Sequence, residues 1–218
     1  MISKFTNLLD KLFQRSENQT ICLFGDSITW GSCDNEKGGW GKRLRDYFNE
    51  TDKKIEVRNF GVGGDTTNEL LQRFETECKK SRPSVIIIAI GINDSKYIGK
   101  NTDQSVIPLD KFKNNLEELT KQAKKFTKKI IFLGLTIVEE EKTMPIFWEG
   151  EDTNIFYSNE RINLYNSTIK KVAQENGLFL IDMLDLLNDD DIEDGLHPNS
   201  RGHEKMFLRV KEFLLLNK

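Results

Sequence analysis

A chain of 218 residues, 37% apolar and 31% charged, is long enough for one sizeable core and reads as a single domain over residues 1–218. Basic and acidic residues are interspersed to a net charge of −3, so no basic block marks a nucleic-acid partner, and no apolar run reaches the roughly 20 residues of a membrane-spanning helix, which argues against stable membrane insertion. The three cysteines, Cys22, Cys33 and Cys78, fit no metal or redox spacing and read as reduced thiols of a cytoplasmic protein. In residues 1–19, Ile2, Phe5, Leu8, Leu9, Leu12 and Phe13 recur at helical spacing between Lys4, Asp10, Lys11 and Arg15. This is an amphipathic helix expected to pack on the domain, with membrane-surface docking as the alternative. It lacks the apolar core and cleavage site of a secretion signal.

Strand one is expected over residues 20–25. It ends in Gly25-Asp26-Ser27-Ile28-Thr29-Trp30-Gly31, a turn able to lift a serine hydroxyl to the rim of a sheet. Gly38-Gly39-Trp40-Gly41 leads into a helix through Leu44, Tyr47 and Phe48. Residues 55–60 alternate as a strand nearer an edge and run into Gly61-Val62-Gly63-Gly64-Asp65-Thr66-Thr67, a glycine-rich loop closing in helix N-cap residues. The helix that follows carries Leu70, Leu71 and Phe74 and stops before Pro83. Residues 84–90 are apolar on both faces, so this strand is central, and it opens into Gly91-Ile92-Asn93-Asp94. A helix over residues 109–126, a strand over 130–135, an irregular stretch over 136–158, a helix closing at Asn176-Gly177 and a strand over 178–181 come next. Asp194-Gly195-Leu196-His197-Pro198-Asn199 then precedes a last helix with Met206, Phe207, Val210 and Phe213.

Strands alternate with helices throughout, which predicts a three-layer α/β/α sandwich around a five-stranded, mainly parallel sheet. Ligands of such folds bind outside the carboxyl ends of the strands, and the distinctive loops follow strands one, two, three and five at that edge.

A serine there needs a base and an oxyanion cradle to act as a nucleophile. Asp194 stands three residues before His197, close enough for one compact turn to bring its carboxylate to the imidazole; the alternative is an Asp-Gly turn with an incidental surface histidine. The other histidine, His203, lies on the last helix without such a partner and reads as structural or exposed. Backbone N–H groups of the Gly61–Gly64 loop, the Asn93 amide and the Ser27 N–H are candidate oxyanion donors, against plain tight turns. The run Asp189-Asp190-Asp191 fails the register of a calcium loop, because alignment on Gly195 puts Ile192 at a ligand position, and reads as a solvated acidic turn. The phosphate-loop and dinucleotide patterns are absent.

The joint order of these blocks resembles the SGNH (GDSL-type) hydrolase family of lipases and acyl esterases, from Ile21 to the last helix, and the resemblance implies a flavodoxin-like fold. Carried onto the matching positions, it implies Ser27 as nucleophile, His197 as base and Asp194 as its orienting acid. It also implies an oxyanion hole from the Ser27 and Gly64 N–H groups and the Asn93 amide. Gly64 is preferred to the adjacent Gly63 because it directly precedes Asp65. The family reaction needs no metal or organic cofactor.

The expected function is hydrolysis of a small-molecule ester, short-acyl or acetyl, through an acyl-enzyme. A lysophospholipase or thioesterase with a longer acyl groove, or a binding module on the same scaffold, are the alternatives. Asp26, Trp30, Phe147 and Trp148 are expected to touch substrate, with the 136–158 segment walling the pocket; an exposed loop or an oligomer contact is the competing reading of that segment. Trp30 and Trp40 read equally as site or core, and a homo-oligomer is left open.

Overall fold

The apolar run that ends at Gly25 forms β1 (Gln19–Gly25), whose residues Ile21 to Phe24 are wholly buried. A computed structural model describes residues 19–51, 54–99, 104–146 and 154–216. The expected N-terminal helix falls on residues 1–18, outside the described residues, and Gln19 belongs to β1 instead.

Four further strands complete the main sheet: β2 (Ile55–Gly61), β3 (Val85–Ala89), β5 (Ile130–Leu133) and β7 (Phe179–Ile181). Their order is β2-β1-β3-β5-β7, and every neighbouring pair is parallel. Val85 to Ile88 have no exposed surface, which fits the middle strand of a sheet covered on both faces. β2 alternates buried and exposed positions at its start, as its edge position requires. Two-residue strands β4 (Tyr97–Ile98) and β6 (Ile155–Phe156) pair antiparallel outside this sheet.

The helices are α1 (Ser27–Trp30), α2 (Gly39–Asn49), α3 (Thr67–Ser81), α4 (Ile92–Ser95), α5 (Leu109–Ala123), α6 (Glu140–Thr143), α7 (Asn159–Asn176) and α8 (Ser200–Leu216). One layer packs α2 against α8, and the other packs α3 against α5 and α5 against α7. Phe112, Leu116, Leu119 and Ala123 on one stripe of α5 are fully buried, each large apolar side chain contributing about 1.5–3 kcal/mol. A capping box starts α3: Thr66 Oγ1 accepts from Asn68 N–H, and Glu69 accepts from Thr66 N–H.

The register brings the loops together. Gly25 pairs with Gly61 on one side and with Ala89 on the other, so β1, β2 and β3 finish level at one edge. The described part of residues 136–158 contains α6 and β6, because Ile155 and Phe156 find edge partners in Ile98 and Tyr97.

Candidate active site

Ser27 opens α1 immediately after β1. Asp26 stays extended and its carboxylate Oδ1 accepts from Ile28 N–H at 3.0 Å, while Gly31, at φ 109°, ends the turn with its N–H on the Ser27 carbonyl at 3.0 Å. Glycine is required at position 25, since a Cβ there would lie 2.2 Å from both the Ala89 carbonyl oxygen and Thr29 Oγ1. The short-range pattern thus builds a sharp elbow rather than a continuing strand. Asp26 is 3% exposed, and burial pushes its carboxyl up to about 7. It caps the elbow through Ile28 N–H and also lines a small cavity there with Ile28, Ala89, Leu135 and Met206.

Across the sheet edge, His197 Nε2 lies 2.8 Å from Ser27 Oγ, and His197 Nδ1 lies 2.7 Å from Asp194 Oδ2. The other carboxylate oxygen of Asp194 accepts the N–H groups of Leu196 and His197 at 3.0 and 2.8 Å, so one turn fixes both partners. Burial alone would raise the Asp194 carboxyl, but the hydrogen bonds and charge of His197 outweigh it and hold it down at about 2. An ionised Asp194 keeps the proton of a neutral imidazole on Nδ1 and leaves the Nε2 lone pair facing the Ser27 hydroxyl.

Three candidate oxyanion donors come from loops tied to one another. Gly64 takes the left-handed region at φ 80°, next to Asp65, and Gly63 does not. Asn93 Nδ2 donates to the Asp65 carbonyl at 3.0 Å, and Asn93 Oδ1 accepts from the buried Tyr157 hydroxyl at 2.9 Å. That pairing leaves the second Nδ2 hydrogen of Asn93 for a ligand. Arg73 donates to Asp65 Oδ2 at 2.7 Å, to Glu77 Oε2 at 2.8 Å and to the Gly25 carbonyl at 3.1 Å, joining the elbow to the Gly64 loop. Val62 N–H also donates to the Gly25 carbonyl, and Asn59 Nδ2 to the Thr29 carbonyl.

Sequence reasoning gave no role of its own to Arg73 or Asp94 and placed Tyr157 only within the 136–158 segment. Asp94 is wholly buried, with burial pushing its carboxyl up to about 7, and it accepts from Thr67 N–H and bonds the Thr67 hydroxyl. It thereby fastens the Asn93 turn to the start of α3. Tyr157 and Asp94 have partners 64 and 27 positions away, and Arg73 pairs locally with Glu77 and Asp65 but reaches Gly25 from 48 positions away.

Of the expected substrate contacts, Trp30 ends α1 and is 64% exposed, whereas Phe147 and Trp148 lie outside the described residues. Trp40 is fully buried and belongs to the core. His203 is structural: its Nδ1 accepts from Trp40 N–H, its Nε2 donates to the Ser32 carbonyl, and burial lowers its pKa. The acidic run is not wholly solvated, because Asp191 is buried and paired with Arg201 and Lys205 at 2.7 and 2.6 Å. The described part of residues 136–158 buttresses the site: Glu139 N–H donates to the Gly195 carbonyl, and Tyr157 N–H to the Thr143 carbonyl. No helix among the described residues is long and apolar enough to cross a membrane.

A family model described as the GDSL-like Lipase/Acylhydrolase family matches residues 23–205. The chain is 25% identical over 205 residues to GDSL esterase/lipase At5g62930 of Arabidopsis thaliana, covering 87% of this chain and 83% of that one. It is 24% identical over 204 residues to the isoamyl acetate-hydrolyzing esterase of Saccharomyces cerevisiae, covering 85% and 82%. Its fold is similar to that of an acetylxylan esterase from Geobacillus stearothermophilus, with a TM-score of 0.70 at 19% identity over 94% of this chain and 100% of the other.

Proposed function

This chain belongs to the GDSL-like lipase/acylhydrolase family and is a carboxylic ester hydrolase; from that premise we propose that Ser27 is its nucleophile, His197 its general base and Asp194 the carboxylate that orients His197. The observation that carries this reading is the unbroken hydrogen-bonded chain from Ser27 Oγ through His197 to Asp194, at 2.8 and 2.7 Å.

The chemistry follows from that chain. His197 Nε2 takes the hydroxyl proton as Ser27 Oγ attacks the ester carbonyl, and the resulting imidazolium is stabilised by ionised Asp194. The Ser27 and Gly64 N–H groups and the free Asn93 N–H meet the developing oxyanion. His197 then protonates the leaving alcohol. Water, deprotonated by the same nitrogen, releases the acid from the acyl-enzyme.

Short acyl groups, acetyl foremost, are the proposed substrates. The yeast relative's isoamyl acetate and the acetylxylan of the Geobacillus enzyme support this choice. One catalytic domain in a reducing, cytoplasmic compartment fits the free thiols of Cys22, Cys33 and Cys78. Self-association belongs to the same set of proposals and is read by sedimentation.

A fluorophosphonate probe followed by mass spectrometry tests the nucleophile. Stoichiometric labelling at Ser27, lost in Ser27→Ala and strongly slowed in His197→Ala, is the expected result; no adduct on folded protein overturns the reading. A nitrophenyl ester series tests the acyl preference, which fails if octanoate turns over faster than acetate.

A further inference from the structure

Cys33 stands six positions beyond Ser27, in the loop between α1 and α2, and the proposed reaction does not use it. Its backbone is left-handed, φ 65°, a conformation disfavoured for any residue with a Cβ and one that persists only where neighbours impose it. Those neighbours are Ser32, whose carbonyl accepts from His203 Nε2 at 2.9 Å, and Asp34, whose carboxylate accepts the N–H groups of Glu36, Lys37 and Gly39.

Held there, the Cys33 sulfur, one Asp194 oxygen and one His197 nitrogen all lie within 4.8 Å of one another, each residue partly exposed. Burial, reinforced by the nearby charges of Asp194 and Glu193, pushes the Cys33 thiol up to about 11. A protonated thiol is a poor nucleophile and a slow substrate for oxidants, so a redox role is disfavoured. The carboxylates that retain its proton also attract a divalent cation, and sulfur, imidazole nitrogen and carboxylate oxygen form the donor set that zinc accepts with a fourth position open.

We propose that Cys33, Asp194 and His197 form an inhibitory site for a thiophilic divalent cation such as Zn²⁺. On binding, Cys33 releases its proton to solvent and its sulfur bonds the metal as a thiolate; nothing is oxidised or reduced. A neutral imidazole has one lone pair and one proton. Whichever nitrogen ligates, none is left to accept the Ser27 proton, and hydrolysis stops. This inference rests on the reading of His197 as general base.

The test uses the full chain, freed of metal with a chelator, as wild type, Cys33→Ala and Cys33→Gly; the glycine variant suits the left-handed backbone. Esterase activity is followed against added Zn²⁺, and Cd²⁺ is titrated separately for its thiolate charge-transfer absorption. The expected result is one equivalent of charge-transfer signal and reversible inhibition in the wild type. Both variants should keep the metal-free activity, lose the signal and need at least about tenfold more Zn²⁺ for the same inhibition. A wild type without the signal, or variants as sensitive as wild type, overturns the site. A metal-free wild type without esterase activity would instead overturn the base assignment, while the cadmium titration still decides whether the metal binds.

Discussion

The Tyr157 hydroxyl donates to Asn93 Oδ1 at 2.9 Å, and this bond decides which way the Asn93 amide faces. With Oδ1 occupied and one N–H on the Asp65 carbonyl at 3.0 Å, the remaining N–H is presented without the freedom to flip. Tyr157→Phe keeps the buried ring and removes only the anchor. We expect kcat to fall about tenfold with KM little changed, the kinetic equivalent of roughly one hydrogen bond. Asn93→Ala should cost about 10²–10³ in kcat, and the double variant no more than Asn93→Ala alone. Steady-state kinetics of the three variants check this.

The catalytic-looking positions were readable because their geometry is local, although only Ser27 follows its strand directly and Asp194 stands beyond β7 and the 3-10 turn Asp189–Asp191. Gly25-Asp26-Ser27 and Asp194-Gly195-Leu196-His197 carry their geometry in adjacent residues: the Asp26 cap on Ile28, and the two backbone N–H groups held by Asp194. Strand order was not readable, nor were the partners of Asn93, since Tyr157 lies 64 positions away and arrives through the pairing of β6 with β4. The acidity of residues 189–191 misled for the same reason: the cations that bury Asp191 come from α8.

Asp194→Asn should leave the turn intact and stop the chemistry. An asparagine Oδ1 still accepts from Leu196 and His197 N–H, but its amide then donates to His197 Nδ1. The imidazole proton is forced onto Nε2, which cannot accept from Ser27. We expect kcat to drop roughly 10⁴-fold with an unchanged unfolding midpoint, measured by ester hydrolysis and urea denaturation.

Stability should fall as pH rises from about 4 to about 7. Asp26 and Asp94 are raised from 3.8 to about 7 in the folded chain, so between those values the native state holds protons that the unfolded state has lost. With more protons on the native state the slope of stability against pH is negative, and the loss is complete above pH 7. Asp194, lowered to about 2, works outside this window: its contribution is present above pH 3.8 and disappears as pH falls through 2. Buried His203, with its pKa lowered from 6.5, opposes the trend just below that value. Asp26→Asn isolates the effect, since the amide oxygen can still cap Ile28 without ionising. Relative to wild type it should gain stability of order 2–4 kcal/mol at pH 8 and little at pH 4.5, by urea denaturation at both.

Arg73 is expected to matter for both stability and rate, through different contacts. Its guanidinium reaches Asp65, Glu77 and the Gly25 carbonyl in one planar fork, adding a side-chain tie to the Val62 and Asn59 bonds between the Ser27 elbow and the Gly64 loop. Arg73→Met leaves the mostly buried Asp65 carboxylate without its cation and should destabilise by about 2–3 kcal/mol. It should also lower kcat about tenfold, because the Gly64 N–H then loses its register with Ser27 N–H. Adding Asp65→Asn removes the stranded charge, so the double variant should recover much of the stability in urea denaturation. The rate should stay low, since the guanidinium bridge from Asp65 to Gly25 is then gone and only the backbone bonds through Val62 remain. Recovery of both together would mean that Arg73 acts only by neutralising Asp65 and not by setting the distance between the two loops.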